Sequence, residues 1–239
     1  MPQQIERRVK RAIAILSEFS QRGRRLLAEI ELRHLLEEGG INPYLVAALG
    51  IRDLDEAVRM FVYRRIERSL GTSMGTVIEK VLRELAGGVS GRQASRELGE
   101  WVKWWDIVVP QRRLVVSVKS GPADMDRDQV RYFAGEARQA VSEGFRPLLV
   151  LSYGKKAFQV ITQTLQLEGL DPSEYLRVGR EAITELAGRD VYDEIIRGVR
   201  EESGQVDIFE LAEQKVEELL SALRKEGIHT IDDLLRAVT

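Results

Sequence analysis

Residues Lys103 to Pro122 read KWWDIVVPQRRLVVSVKSGP, a β-branched island in a chain that otherwise laces charges between leucines and alanines. Two apolar runs, Trp104 to Val109 and Leu114 to Ser120, flank the turn residues PQRR, which predicts a β-hairpin. Side chains two apart on a strand share a face. Val115, Ser117 and Lys119 therefore point one way, and Leu114, Val116 and Val118 the other. A lysine on an apolar strand needs a partner, because an isolated buried ammonium is very costly. Asp106, thirteen residues before Lys119 and across the turn, is placed to converge with it near one end of the sheet. Two readings stand. One is a buried Asp106–Lys119 ion pair with Ser117 as a satisfied core hydroxyl. The other is an acidic metal site with a lysine beside it, in which a hard cation such as Mg2+ takes carboxylate and carbonyl oxygens plus waters. There the lysine would orient, or help deprotonate, water attacking a phosphodiester.

Around the hairpin the pattern is mostly helical. Ile5 to about Leu36 repeats apolar residues at a helical period, with Gly23 as a break between two helices. EEGGINP stops that stretch, and YLVAALG predicts a short helix ending at Gly50. Asp53 and Glu56 form a capping-box pattern at the start of the next helix. GTSMGT predicts a tight turn before a helix over Val77 to Ala86, and GGVSGRQASRELGE reads as a glycine-rich loop. After the hairpin, SGPADMDRD is a polar connection and Gln129 to Glu143 a helix. RPLLVLSY is a strand buried on both faces. AFQVITQTLQL fits a strand or a helix. Helices are predicted over Ser173–Ala187, Val191–Arg200 and Ile208–Leu223, with a final turn near Ile231. The pattern is that of one α/β core wrapped by helices.

Composition narrows the chemistry. The chain has 239 residues, 44% hydrophobic and 31% charged, the balance of a soluble globular protein. No apolar run approaches the roughly 20 residues that span a bilayer, and the charged start MPQQIERRVKRAIAIL predicts no cleaved leader. With no cysteine and only His34 and His229, thiolate metal sites, cysteine nucleophiles and histidine triads are excluded or disfavoured. Chemistry has to come from carboxylates, lysine and hydroxyls, with or without a metal ion that prefers oxygen ligands. The net charge of −2 hides a gradient: eight bases against four acids up to Arg33, and ten acids against four bases from Glu201 onward. Such a dipolar chain presents either two solvated helices or a positive face suited to an anionic polymer.

The run WWDIVV…LVVSVKSGP resembles the PD-(D/E)XK nuclease core, in which an aspartate starts one strand and an acid-x-Lys triplet sits on the next. INPYLVAALGIRDLDEAVRMFVYRRIERSLGTSMGTVIEKV resembles the N-terminal half of a group of type II restriction endonucleases, and KSGP with SYGK continues the likeness over roughly Ile41 to Lys155. The resemblance implies an α/β, restriction-endonuclease-like core: a central mixed β-sheet flanked by helices, with helical N- and C-terminal extensions. It implies a single nuclease domain over 1–239, with a mainly helical part at 1–72 for dimerisation and DNA contact. A catalytic core follows at 73–155, and a mainly helical part at 156–239. The implied function is Mg2+-dependent, sequence-specific hydrolysis of double-stranded DNA at a short G/C-containing palindrome. The enzyme would be a cytoplasmic homodimer, with a cognate DNA methyltransferase as its functional companion. The rivals are a structure-selective repair or recombination nuclease of the same fold, and a non-catalytic DNA-binding or interaction protein.

Ser117 stands where the family has its second acid. By the resemblance, Asp106 and a carboxylate from a helix bind the metal, Ser117 completes the polar site, and Lys119 positions the attacking water. Glu79, in the helix after GTSMGT, is the favoured carboxylate, and Glu136, in the helix after the hairpin, is the alternative; equally, Glu79 is an ordinary exposed glutamate paired with Lys80 or Arg83. For base reading, Asp126 and Arg127 resemble part of an Arg-x-Asp-Arg element of CCGG-reading enzymes, with Asp124 where its first arginine would be. An aspartate accepts from cytosine N4 and an arginine donates to guanine O6 and N7; equally, Asp126 caps a helix and Arg127 is solvated. Phosphate contacts are expected from Arg22, Arg24 and Arg25, and from Arg64, Arg65 and Arg68. Trp104 and Trp105 are expected as core wedges rather than base-stacking platforms.

Overall fold

The computed structural model describes residues 2–204 and 207–239. In chain order its helices are α1 (Pro2–Ala28), α2 (Leu32–Leu36), α3 (Pro43–Ala48), α4 (Leu54–Ala86), α5 (Gly91–Leu98), α6 (Arg127–Ser142), α7 (Gln159–Leu167), α8 (Pro172–Tyr175), α9 (Arg180–Ala187), α10 (Tyr192–Glu202), α11 (Ile208–Lys225) and α12 (Ile231–Ala237). The strands are β1 (Ile107–Val109), β2 (Leu114–Lys119), β3 (Arg146–Leu151) and β4 (Leu176–Val178). The chain divides into two compact units, Met1–Ser17 with Met74–Glu202, and Glu18–Ser73 with Ser203–Thr239; α1 and α4 each supply residues to both. Among the described residues no helix is long and apolar enough to cross a membrane.

The first unit is α/β, built on a four-stranded mixed sheet in the order β1-β2-β3-β4. β1 and β2 form the antiparallel hairpin, in the register Ile107↔Val116, Val108↔Val115 and Val109↔Leu114. The turn is a 3-10 helix, Pro110–Arg112, closed by Arg113 in the left-handed conformation. β2 and β3 are parallel, joined through α6, and β4 runs parallel to β3. Alternation sorts the side chains as expected. Ile107, Val109, Leu114, Val116, Leu148 and Val150 pack with Val81, Leu82 and Leu85 of α4 and with Val9 and Ala12 of α1. Val108, Val115, Leu149 and Leu151 pack on the other face with Phe133, Ala134 and Ala137 of α6 and Ile161 of α7. Helices thus cover both faces, which is why β3 can be apolar along its length.

The second unit is helical. Leu27, Leu35, Val46, Val58, Phe61 and Val62 meet Ala212, Val216, Leu219, Leu220 and Leu223, the apolar stripe of α11. Asn42 caps α3, accepting from the Leu45 amide at 3.2 Å, with Pro43 at the first helical position. Gly40 is required by close approach, since a Cβ there would sit 2.4 Å from the His34 carbonyl oxygen and 2.5 Å from the Phe61 ring.

Several local expectations are corrected. α1 runs unbroken through Gly23, whose missing side chain admits the Ile208 methyl, 3.0 Å from where a Cβ would lie. GTSMGT is not a turn but the middle of α4. Two glycines disfavour helix by about 1 kcal/mol each, yet both ends of α4 are anchored in apolar clusters. The Thr72 and Ser73 hydroxyls also donate back to the Arg68 and Ser69 carbonyls at 2.9 and 2.8 Å, so they make no competing turn. The loop expected over GGVSGRQASRELGE contains α5, capped by Ser90. The first strand is shorter than expected, because Glu100–Trp104 winds into a 3-10 helix. AFQVITQTLQL resolves as helix α7. The expected helix over Ser173–Ala187 is split by β4 and by Gly179, whose amide donates to the Leu151 carbonyl at 2.8 Å. A three-residue strand is too short to show alternation and forms only because β3 offers a free edge.

Candidate active site

The site lies where the hairpin ends. Asp106 precedes β1 and stands opposite Ser117, one step beyond the Ile107↔Val116 pair. Its amide donates to the Val116 carbonyl at 3.0 Å. The next amide of the ladder, that of Val118, donates to Asp106 Oδ2 at 2.6 Å rather than to a main-chain carbonyl. The carboxylate is therefore fixed by backbone geometry, with little rotamer freedom left to lose on binding. Burial pushes the Asp106 carboxyl above the ordinary aspartate value, and the charge of Glu79 pushes it further. The Val118 amide, Lys119 and the hydrogen-bonded Ser117 hydroxyl act in the opposite direction.

Asp106, Ser117 and Lys119 share one cavity of about 350 Å³. Asp106 and Lys119 do not form a direct ion pair, and no carboxylate lies within 4.0 Å of the Lys119 ammonium among the described residues. The closed ion pair, one of the two readings of the sequence, is thus not what the hairpin makes. The lysine is held near an aspartate with space between them.

The two candidate glutamates approach from different helices. Glu79 lies one turn after Gly75, where a Cβ would come within 3.2 Å of Ser120 Oγ, so this face of α4 approaches the end of β2. Arg83 donates to Glu79 Oε1 at 2.9 Å. Glu79 acts on Asp106 through its charge but does not line the cavity. Glu136 lines the cavity from α6 and has no ion pair among the described residues. Its charge, together with burial as the larger cause, holds the Tyr132 hydroxyl above the usual tyrosine range.

Asp126 is the N-cap of α6, accepting from the Gln129 amide at 2.9 Å, and it also lines the cavity. Arg127 opens α6, exposed and outside the cavity lining. Arg64 and Arg68 line a different groove, of about 760 Å³, with Arg22 and Arg65 in the helical unit; none of the four has an ion pair among the described residues. Arg24 lines another groove with Asp207, Glu210 and Glu218, and Arg25 is exposed on α1 outside both.

The two tryptophans part company. Trp105 is a core wedge, 4% exposed and edge-on to Phe133. Trp104 is 68% exposed at the cavity, which overturns its expected place in the core. Gln129, Tyr132, Phe133 and Glu136 also line the cavity, and their sequence spacing of three, four and seven is one face of α6. That spacing was available as a signal and points to the same place.

Among the described residues no group of three or more His, Cys, Asp or Glu side chains is placed to hold a metal ion. The donor set suits a cation that takes one or two carboxylates and fills its shell with water and substrate oxygens, as Mg2+ does. A buried carboxylate kept high by a second one is relieved by such a cation. No protein-family model matches this chain, and no curated protein matches it, so its function is read from these residues and their geometry.

Proposed function

We propose that this protein is a Mg2+-dependent DNA endonuclease with a restriction-endonuclease-like core, hydrolysing phosphodiester bonds in double-stranded DNA at a short G/C-containing palindrome. The observation that carries the reading is the gathering of Asp106, Ser117 and Lys119, the last without an ion pair among the described residues, in one cavity at the end of a hairpin. Asp106 would hold the metal with Glu79, whose charge it already feels, and Glu136 stands across the cavity as the alternative ligand. When bound, Mg2+ supplies Lewis-acid polarisation of the phosphoryl oxygen and lowers the pKa of bound water. The protein's own part is positional. The Val118 amide fixes the Asp106 carboxylate, the Ser117 hydroxyl favours its charged form, and Lys119 directs an ammonium toward the attacking water and the developing charge. Arg64 and Arg68, with Arg24 and Arg25, would supply phosphate contacts, and Asp126 and Arg127 at the start of α6 would read base edges. Two-strand cleavage at a palindrome calls for a homodimer, since the symmetry of the DNA site mirrors that of the protein.

A second reading, a structure-selective nuclease, is favoured by one observation: the exposed Trp104 and Tyr132 at the cavity suit an unpaired base better than a stacked one. Sequencing the ends of fragments cut from DNA of high complexity separates the two. One short sequence at every end supports the palindrome reading, and ends clustered at branches or single-stranded stretches support the second. Cleavage by neither route overturns both. Glu79→Gln and Glu136→Gln in the same assay identify the second carboxylate, which is expected to be Glu79.

A further inference from the structure

The cavity that holds Asp106 and Lys119 is also lined by two aromatic residues to which phosphodiester hydrolysis gives no role. Trp104 and Tyr132 are 68% and 58% exposed, although both are large aromatic side chains. Trp104 stands at the end of a 3-10 turn, and Tyr132 rises from the α6 face that also carries Gln129 and Glu136. Trp105, which also lines the cavity, is 4% exposed, and its indole N–H has no hydrogen-bond partner among the described residues. A buried donor without an acceptor is uncommon, and leaving one unsatisfied costs about 1–3 kcal/mol. Gln129, Glu136 and Asp128 add amide and carboxylate groups around the aromatic surfaces. Exposed rings, the Gln129 amide and several carboxylates match a planar heterocycle with both acceptor atoms and amino groups. At about 350 Å³ the cavity lies within the range of small-ligand pockets.

We propose that the aromatic lining of this cavity is a nucleobase site, in which one unpaired base stacks on Trp104 and Tyr132 beside a phosphate that Lys119, and a cation on Asp106, would hold. The inference rests on the nuclease reading of the Asp106 site and deepens the second of the two readings above, naming its substrate class: a nucleotide free of its complement. Such a base comes from a single strand, or from a duplex with one unpaired residue. Stacking on an aromatic side chain needs the face of the base, which a paired and stacked duplex hides.

The test is binding, read without turnover. Fluorescence anisotropy would be measured with wild-type protein in EDTA and again in Ca2+, using a single strand, a duplex with one unpaired nucleotide, and a fully paired duplex. Each of the first two is repeated with an abasic residue at the unpaired position. The single strand, the bulged duplex, or both are expected to bind more tightly than the paired duplex, and which of them does so identifies the source. The abasic residue, Trp104→Ala and Tyr132→Ala are each expected to weaken that binding roughly 5- to 150-fold, the range of one stacked base. Trp104→Phe should retain most of it. Equal binding of base-containing and abasic strands, wild-type binding by Trp104→Ala, or no binding in either buffer overturns the proposal. Cleavage of paired duplex that Asp106→Ala abolishes but Trp104→Ala leaves intact would sink the base site alone. Base-dependent binding by a protein that cuts nothing would instead sink the nuclease reading.

Discussion

Replacing Asp106 tests whether its carboxylate is held by the backbone at an electrostatic penalty. Its Oδ2 is the acceptor for the Val118 amide at 2.6 Å. Asp106→Asn keeps an acceptor there and removes the charge, whereas Asp106→Ala removes both. Leaving the amide unsatisfied costs about 1–3 kcal/mol, so the alanine variant is expected to melt below the asparagine variant by roughly 2–12 °C at about 2–4 °C per kcal/mol. The charge acts with the opposite sign. Burial and Glu79 raise the Asp106 pKa in the folded protein above its unfolded value. A raised acid stabilises the fold fully below the unfolded pKa and loses that contribution as pH rises through the folded pKa. Above its folded pKa the aspartate is ionised against this penalty, so Asp106→Asn is expected to be more stable than wild type at the upper end of the pH range. The two should converge as the pH falls toward the ordinary aspartate range. Thermal melts of the three proteins from pH 4 to pH 8, without divalent cations, provide the measurement. An asparagine variant less stable than wild type at the upper end of that range, or a difference that does not change with pH, would refute the reasoning.

Leu149→Ala removes a fully buried side chain from β3; a loss of about 2–5 kcal/mol in denaturant unfolding is expected. Gly91→Ala would place a Cβ 2.1 Å from the Val102 carbonyl oxygen and 2.4 Å from that of Trp105. Because those atoms are backbone, overpacking of about 1–3 kcal/mol or more is expected, with lost amide protection in α5 under hydrogen exchange. Arg64→Ala and Arg68→Ala should each lower the slope of log Kobs against log salt for duplex DNA by about 0.9. An unchanged slope would remove those arginines from the phosphate-contact set.

What the sequence makes legible follows from how local each signal is. The hairpin, the faces of β2 and the approach of Asp106 to Ser117 and Lys119 depend on alternation and one short turn, and both are written in adjacent residues. β4 is not legible, because its three residues are a strand only beside β3. Gly23, Gly71 and Gly75 read as breaks, yet all three lie within helices. At Gly23 and Gly75 the local signal is overruled by close packing against Ile208 and Ser120, which no neighbouring residue announces. Trp104 reads as core by hydrophobicity, but the 3-10 turn before β1 rotates it outward while Trp105 turns in. The cavity wall contributed by α6 is legible in the spacing of Gln129, Tyr132, Phe133 and Glu136, provided the site is already located on β2.

The central claim is tested most directly by digesting supercoiled plasmid DNA with the purified protein, with Mg2+ or EDTA, beside Asp106→Ala and Lys119→Ala. Cleavage that requires Mg2+, is abolished by Asp106→Ala and falls by on the order of 10²-fold or more in Lys119→Ala is the expected result. Mg2+-dependent cleavage that survives in both variants, or no cleavage of any DNA by the wild-type protein, would contradict it.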